Sequence, residues 1–406
     1  MASLAQPQPA TTPEITPLDP LDVTRPELYR DDTWHEPFAR IREMGGVYRC
    51  EHSDFGAYWS VASYKPIVEV ESLPDIYSSE AGIVVADLQE GDIRMPMFIA
   101  MDRPKHTGQR RTVAPAFTPS EMVRMTDDIR RRTAEILDSL PVGETFDWVD
   151  TVSIELTTQM LAILFDFPWE DRRKLTFWSD WAGDIEISKD PALKEQRLAH
   201  MWECAAYFKN LWNSKVGEEP TPDLISMMIH SDAMSHMDDH EFLGNLILLI
   251  VGGNDTTRNS MTAYAYGLDQ FPDARAQLEA DPGLIGNATQ EIIRWQTPLA
   301  DTELAGHAIK AGDKLAMWYI SANRDESVFE DPDTIRVDRP NARRHLSFGH
   351  GIHRCVGARL AELQIGLLME EMAKRRLRVN VAGAPERVAA SFVHGYRKLP
   401  VELSRY

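Results

Sequence analysis

The chain has 406 residues, a hydrophobic fraction of 43% and a formal net charge of -20, with 43 Lys and Arg against 63 Asp and Glu. The acidity argues against nucleic acid as a partner, and the hydrophobic fraction is sufficient for a core that encloses a cofactor. The three cysteines, Cys50, Cys204 and Cys355, are far apart in the sequence, which argues against a disulfide framework and fits a reducing cytoplasm.

The composition also bounds the domain organisation. Residues 1–20 are rich in Pro, Thr, Ala and Gln and lack a basic region followed by an apolar one, so they predict a flexible tail and not a signal sequence. The longest apolar stretch, 243–251, is interrupted by Gly244 and Asn245 and is shorter than the ~20 residues of a membrane span. No linker divides residues 21–406. They predict one large domain that is mainly α-helical, with a small β-rich lobe.

The first half of this domain predicts two short strands followed by helices. Aromatic and β-branched residues favour strands at 47–50 and 57–62. A helix is predicted to begin near Asp102 and Pro104, and helical periodicity continues at 120–140, 153–165, 171–181 and 193–216. Residues 81–100 lack a clear period and predict a loop, which at this length is often functional.

The second half is dominated by one long helix, predicted at 238–271. It would be about 50 Å long and is apolar on all sides in its middle, so it is expected to be buried. Further helices are predicted at 284–295 and 356–376. The stretches 302–309 and 314–320 predict a hairpin, and 389–393 with 396–401 a second one.

The stretch 345–357 places Cys355 between a glycine-rich loop and the start of a helix. Backbone N–H groups and the helix dipole favour an anionic sulfur there, and such a thiolate can ligate a metal. A buried, inert cysteine is the first alternative. Zinc bound by Cys355 with His345, His350 and His353 is the second, although structural zinc sites usually have a second ligand cluster, which this sequence lacks.

A polar break interrupts the long helix at Gly252, Gly253, Asp255 and Thr256. Each glycine costs about 1 kcal/mol relative to alanine, and an unpaired buried acid costs more, so a compensating role is expected. The Thr256 hydroxyl can bond the Gly252 carbonyl and bend the helix, while the glycines allow close approach to the backbone. The alternative is that Asp255 pairs with Arg258 and the glycines only pack against another helix.

Two pairs of charged residues are spaced to share a helix face. Glu291 and Arg294 are three residues apart, a spacing that most often gives a surface ion pair of small value. His106 and Arg110 are four apart and could hold an anion between them. A solvated basic face is the more common outcome for such a pair.

The cysteine loop has the spacing F-x-x-G-x-H-x-C-x-G, and it closely resembles the cysteine-ligand loop of the cytochrome P450 monooxygenases. The long helix resembles the oxygen-binding helix of that family, (A/G)-G-x-(D/E)-T-(T/S). The resemblance implies haem b ligated by Cys355, with Asp255 and Thr256 relaying protons to bound oxygen. It also implies that several loop and helix residues border the haem: Gly252, Gly253, Phe348, Gly349 and Gly357.

The same resemblance assigns roles to the charged residues. The segment beginning at Asp102 matches the family pattern D-x-P-x-H-T-x-x-R, which implies that His106 and Arg110 hold the haem carboxylates, with His353 as a third donor. Glu291 and Arg294 match the family's buried E-x-x-R, whose pair also binds a downstream arginine. Arg339 occupies that place, so the resemblance implies a structural triad that folds the cysteine loop.

The chain departs from the family pattern where Ala300 passes directly to Asp301. The family usually has several more residues here, which line the pocket and supply a basic side chain to a haem carboxylate. This sequence has no Lys or Arg between Arg294 and Lys310. Either the site is built differently or the sequence omits a segment at this point. We favour the omission, because loss of that strand should open the haem pocket.

Within the family, the chain resembles the soluble bacterial alkane ω-hydroxylases along its whole length. This implies terminal hydroxylation of medium-chain alkanes, with electrons from NAD(P)H delivered by a flavin reductase and a ferredoxin to a monomeric enzyme. A non-catalytic haem-thiolate gas sensor or carrier is the alternative, against which the Asp-Thr pair argues. The ferredoxin is expected to dock near Arg343, Arg344, Arg354 and Arg359. Candidate pocket residues are Ile83, Val84, Val85, Phe98, Leu248, Leu299 and Phe392.

Overall fold

A computed structural model describes residues 17–87, 94–183, 191–298, 301–302 and 309–406. Residues 1–16, most of the predicted tail, lie outside these ranges. The helices within them are α1 Pro26–Arg30, α2 His35–Glu43, α3 Tyr64–Glu71, α4 Lys105–Val113, α5 Pro119–Ser139, α6 Glu155–Phe165, α7 Arg173–Gly183, α8 Pro191–Lys215, α9 Leu224–Ile229, α10 Asp239–Gln270, α11 Pro272–Ala280, α12 Ile285–Gln296, α13 Tyr319–Ala322 and α14 Ala358–Lys374.

The strands are short and form three small sheets. Their bounds are β1 Val47–Cys50, β2 Tyr58–Val61, β3 Thr145–Asp147, β4 Asp301–Thr302, β5 Leu315–Trp318, β6 Leu377–Val381, β7 Glu386–Arg387, β8 Tyr396–Lys398 and β9 Pro400–Arg405. The first sheet has the order β1-β2-β5-β4, in which only the β2–β5 pair is parallel. The second has the order β3-β9-β6, and the third pairs β7 with β8. The predicted class, mainly α-helical with a small β-rich lobe, is confirmed.

Helix α10 is the central element of the fold. Its 32 residues span about 48 Å, and the Asp238 side chain caps its start by accepting hydrogen bonds from the backbone N–H groups of His240 and Glu241, at 3.0 and 2.9 Å. Most of its side chains are buried, as predicted for a helix whose middle is apolar on all sides. It packs against α6, α7, α8, α12 and α14. Residues in the middle of α10 therefore lie deep in the molecule.

Most predicted helices are confirmed, because local periodicity defines them. The helix predicted to begin near Asp102 and Pro104 starts at Lys105, and the other predicted helices correspond to α5, α6, α7, α8, α10, α12 and α14. The predicted strands at 47–50 and 57–62 correspond to β1 and β2.

Two of the predicted hairpins need correction. The hairpin of 389–393 with 396–401 is wrong: β8 pairs with β7, and β9 pairs with β3 and β6. The hairpin of 302–309 with 314–320 is present as β4 and β5, but the chain turns into α13 at Tyr319. Residues 299–300 and 303–308, where the sequence departs from the family pattern, lie outside the described residues.

Candidate active site

A cavity of about 1160 Å³ lies between α10 and the loop that precedes α14. Leu248, Gly252 and Thr256 line it from α10, and Phe348 and Cys355 line it from the loop. Each set comes from one of the two motifs found in the sequence. The fold therefore brings together two segments that are about a hundred residues apart in the chain.

The Cys355 sulfur is placed by a tight loop. The Cys355 N–H donates to the Phe348 carbonyl at 2.8 Å, and Gly349 and Gly351 adopt left-handed φ angles of 65° and 61°. At Gly351 a Cβ would lie only 2.0 Å from the Glu71 carbonyl oxygen, so no other residue fits there. Of the three cysteines, Cys355 alone borders the cavity, since Cys50 and Cys204 are buried in the core.

Opposing effects act on the protonation of this sulfur. Burial raises the pKa of the Cys355 thiol, whereas the backbone N–H groups of Gly357 and Ala358 and the guanidinium of Arg110 lower it. Those donors lie at the start of α14, where the helix dipole also favours negative charge. Cys355 is nevertheless exposed within the cavity. The arrangement suits a thiolate that ligates a metal.

On α10, Gly252 and Thr256 form a notch that faces the cavity. The Thr256 Oγ1 donates to the Gly252 carbonyl at 2.9 Å, the bond that their four-residue spacing predicts. A Cβ on Gly252 would have no atom within 4 Å, whereas one on Gly253 would lie 2.6 Å from Leu161 Cδ2 of α6. The first glycine therefore opens the cavity, and the second permits helix packing.

Asp255 lies behind this notch and does not border the cavity. Its Oδ1 accepts from Ser179 Oγ at 2.9 Å and lies 3.1 Å from an Arg258 nitrogen. Arg258 also contacts Asp180, at 2.8 Å, whose side chain is 53% exposed. Burial raises the pKa of Asp255, and the charge of Arg258 opposes this. The Asp255–Arg258 pair that the sequence offered as an alternative is thus present, and it links Asp255 to the surface.

His106 and His353 together form an unusual buried cluster. Their ring centroids are 4.3 Å apart, and all four ring nitrogens are buried without a partner in the described part of the chain. Burial lowers the pKa of His106, and lowers that of His353 to about 4. Arg110 lines the cavity nearby, with its guanidinium donating to the Arg354 carbonyl. Unpaired buried donors are costly, so the cluster fits the carboxylates of a bound cofactor.

Glu291, Arg294 and Arg339 form a fully buried ion triad. Arg294 contacts both Glu291 oxygens, at 2.8 and 2.9 Å, and Arg339 Nε lies 2.9 Å from each of them. The Glu291–Arg294 pair is therefore not the surface ion pair that its spacing most often gives, since both side chains are 0% exposed. The triad instead joins α12 to the segment that precedes the cysteine loop.

The other histidines of the loop do not form a metal site. His345 Nε2 donates a hydrogen bond to Gln290 Oε1 at 3.2 Å, and burial lowers the pKa of His345 to about 3. His350 is exposed. Across the described ranges, no three side chains of His, Cys, Asp or Glu are grouped so that they could hold a metal ion. The same ranges contain no helix that is long and apolar enough to cross a membrane.

The predicted apolar pocket residues are mostly at the cavity. Ile83, Val84, Phe98, Leu248 and Phe392 line it. Val85 does not: it is buried in a core cluster with residues of β1, β2 and β5. Leu299 lies outside the described residues.

Sequence reasoning missed other residues that border the cavity. Met160, Leu161 and Leu164 of α6 line it, and so do Met317 and Glu71. The apolar face of 153–165 was visible as a helical period, but the sequence alone did not indicate which element would cover it. Glu71 gave no signal, because a single acid at the end of a short helix is unremarkable.

The comparisons with known proteins agree with this site. A family model described as Cytochrome P450 matches residues 295–375, which include the end of α12, the cysteine loop and α14. Linalool 8-monooxygenase of Pseudomonas putida is 33% identical over 405 residues, which cover 94% of this chain and 98% of that protein. The chain belongs to the cytochrome P450 family. Steroid C26-monooxygenase of Mycobacterium bovis is 30% identical over 94% of this P450 and 92% of the relative.

Two solved structures are more similar still. CYP153D17 from Sphingomonas sp. is 75% identical, with a TM-score of 0.91 over 95% of this P450 and 100% of that chain. Cytochrome P450-153 from Novosphingobium aromaticivorans is 60% identical, with a TM-score of 0.90 and the same coverage. The protein is therefore a P450 monooxygenase. Its cofactor is haem with a cysteine ligand, its co-substrates are O2 and NAD(P)H-derived electrons, and it depends on redox partner proteins.

Proposed function

We propose that this P450 hydroxylates the terminal carbon of medium-chain alkanes and related compact apolar molecules. The observation that carries the proposal is the apolar set of side chains at the cavity, together with 60% and 75% identity to two CYP153 structures. Burial of each methylene contributes about 0.8 kcal/mol, so such a surface can select chain length without polar anchors. Linalool and steroids, named in two relatives, are likewise largely apolar.

In this proposal Cys355 is the haem ligand, and His106, His353 and Arg110 bind the haem carboxylates. Haem held by a thiolate supplies the oxygen-activating chemistry, since the thiolate favours cleavage of the O–O bond. Burial raises the pKa of the Cys355 thiol, and the Gly357 and Ala358 N–H groups oppose that rise, so they would favour the thiolate when it binds the iron. The unpartnered nitrogens of the two histidines gain acceptors when the carboxylates bind.

Asp255 and Thr256 are the proposed proton relay. Thr256 presents its hydroxyl at the cavity surface, fixed by its bond to Gly252. Asp255 directly precedes Thr256 in the chain. Burial raises the pKa of its carboxyl, which makes the carboxyl easier to protonate. Arg258 and the exposed Asp180 connect it to solvent. In this proposal the Asp255 carboxyl takes up a proton on the solvent side near Asp180 and passes it towards the Thr256 hydroxyl, while Arg258 stays protonated and holds the two carboxylates.

A ferredoxin, reduced by a flavin reductase, is the proposed electron donor. Arg343, Arg344, Arg354 and Arg359 are all exposed around the cysteine loop, although the whole chain has a net charge of -20. An acidic partner would be steered to this basic patch. The three cysteines are free, which supports a reducing cytoplasm as the place of action.

The ligand assignment is tested by the optical spectrum of the reduced protein with carbon monoxide bound. We expect the strongly red-shifted Soret band of thiolate-ligated iron in the wild type and its loss in Cys355→Ser. Cys204→Ser, at a cysteine buried away from the cavity, is the matched control and should keep the band. A histidine-type spectrum in the wild type would refute the assignment.

The reaction is tested by turnover of octane with NADH, a reductase and a ferredoxin. We expect 1-octanol as the main product. Alcohols formed only at inner carbons would contradict terminal hydroxylation, and no alcohol at any enzyme loading would contradict the alkane substrate.

A further inference from the structure

Glu71, the last residue of α3, holds a buried carboxyl that the proposed mechanism does not use. Its Oε1 accepts from the Tyr319 hydroxyl of α13 at 2.7 Å, and its Oε2 is buried without a partner in the described part of the chain. Glu71 also borders the cavity. An unpaired buried acid lowers the free energy of unfolding, so a carboxyl in this position is expected to have a function.

The carboxyl is in contact with the loop that places the cysteine. A Cβ on Gly349 would lie 3.2 Å from Glu71 Oε1, and Gly349 directly follows Phe348, whose carbonyl accepts from the Cys355 N–H. The backbone N–H of His350 also points to the Glu71 carboxyl. Glu71 therefore lies next to the ligand loop without touching Cys355 itself.

The surroundings of Glu71 are largely apolar. Ile67, Val70, Met317, Tyr319 and Leu346 form one core cluster at this place. The groups that face the carboxyl are the Tyr319 hydroxyl from α13 and the His350 N–H from the loop, and among the described residues no cation forms an ion pair with it. Burial consequently raises the pKa of Glu71 to about 7, and the Tyr319 and His350 hydrogen bonds oppose the rise. The group thus changes charge near physiological pH.

We propose that Glu71 takes up a proton when an electron enters the haem, so that the reduction potential of this P450 rises as the pH falls. The inference rests on the proposed ligand role of Cys355. The electron comes from the redox partner and the proton from solvent, and the proton binds to a Glu71 oxygen. An ionised carboxylate beside the loop disfavours added negative charge on the haem, and protonation removes that repulsion. By linkage, reduction in turn favours protonation.

The test is a spectroelectrochemical titration of the haem-loaded protein between about pH 5 and pH 9. The wild-type potential should fall as the pH rises through about 7. Glu71→Gln, which is permanently neutral, should lack this change and lie above the wild type at alkaline pH. Glu69→Gln removes the same charge at an exposed position on α3 and should keep the wild-type dependence.

Tyr319→Phe is a second, independent test, because it should change the pH at which the reduction potential falls. The variant loses the donor that stabilises the charged carboxylate, so the pH at which the potential changes should move upward. A Glu71→Gln curve with the wild-type pH dependence would overturn the proposal.

If Glu71→Gln fails to bind haem, infrared difference spectra of the wild type decide the question. Reduction near pH 7 should add a protonated carboxyl band, which moves in Glu71→Asp, and its absence would also overturn the proposal. The carbon monoxide spectrum of the same samples separates the two proposals. A thiolate spectrum with a pH-independent potential contradicts the role of Glu71 alone, whereas a histidine-type spectrum contradicts the ligand assignment.

Discussion

Adjacent residues on α10 have different roles, which explains why the polar break in the sequence supported two interpretations. Gly253 packs against Leu161, and Asp255 pairs with Arg258, as expected of a structural segment. Gly252 and Thr256 face the cavity, as expected of a functional one. The segment therefore contains packing positions beside cavity-facing ones, because successive helical positions are separated by about 100° and point to different neighbours. The functional role of the cavity-facing positions stays a prediction.

Removal of the Thr256 hydroxyl should uncouple electron use from product formation. In Thr256→Ala the notch loses the hydroxyl that is bonded to the Gly252 carbonyl, so we expect less efficient proton delivery to bound oxygen. We expect NADH consumption to continue while the alcohol formed per NADH falls by about a hundred-fold, the lower end of the usual contribution of a proton-transfer group. The measurement is the ratio of product to NADH oxidised.

Thr256→Ser is the matched variant, because it keeps the hydroxyl and its four-residue spacing from Gly252. It should retain most of the coupling. Equal product-to-NADH ratios in the wild type, Thr256→Ser and Thr256→Ala would count against the relay.

At the scale of elements, the sequence predicted the helices, which local patterns define, and missed strand pairs between segments that are far apart in the chain. The bounds of α10 agree with the prediction to within one residue at each end, because a local apolar pattern and the Asp238 cap define the helix. The C-terminal hairpin was wrong, because β9 pairs with β6 and with the distant β3, and β8 pairs with β7. The turn residues at 394–395 do lie beside a local reversal, in which β8 pairs with β7, but the local pattern gave neither the strand at 386–387 nor the partners of β9. The site residues were predicted from short motifs that resemble those of the family, and not from periodicity.

The contact between α10 and the loop before α4 is another non-local feature. Asn245 Oδ1 accepts from the Phe98 N–H at 3.0 Å, and its Nδ2 donates to the Glu241 carbonyl at 3.1 Å. At Gly244 a Cβ would lie 2.2 Å from the Pro96 carbonyl oxygen. The two residues that interrupt the apolar stretch of α10 therefore seat the loop, and with it the Phe98 ring, at the cavity.

Asn245→Ala should change where the substrate is oxidised. The variant leaves the buried Phe98 N–H without its acceptor, at a cost of about 1–3 kcal/mol, so the loop shifts and Phe98 no longer confines the chain. We expect a larger fraction of inner-carbon alcohols from octane with an unchanged carbon monoxide spectrum. Asn380→Ala, which removes an amide bonded to Ser404 in the distant second sheet, is the control. The same product distribution in both variants would contradict the role of Asn245.

At the scale of the whole molecule, the Glu291 triad connects the core to the ligand loop. Arg294 donates to the Asn323 and Pro332 carbonyls, both at 2.8 Å, and so holds the segment before the loop against α12. Farther along, Ser347 Oγ donates to the Ile293 carbonyl at 2.8 Å. Helix α12 therefore positions both ends of the chain segment that leads to Cys355. The sequence showed the triad's spacing, but its burial depends on how these distant segments pack.

Glu291→Gln should destabilise the fold and weaken haem binding together. Loss of the carboxylate leaves two buried guanidinium groups without a counter-charge, and breaking a buried pair in this way typically costs about 3–5 kcal/mol. We expect a lower urea midpoint of unfolding and a smaller haem content per protein, because the ligand loop loses its support. Glu330→Gln is the matched control. Glu330 also pairs with an arginine in this region, Arg336, but its side chain is 80% exposed. That pair should contribute less than about 1 kcal/mol. Equal losses of stability in the two variants would mean that the buried charge has no special role.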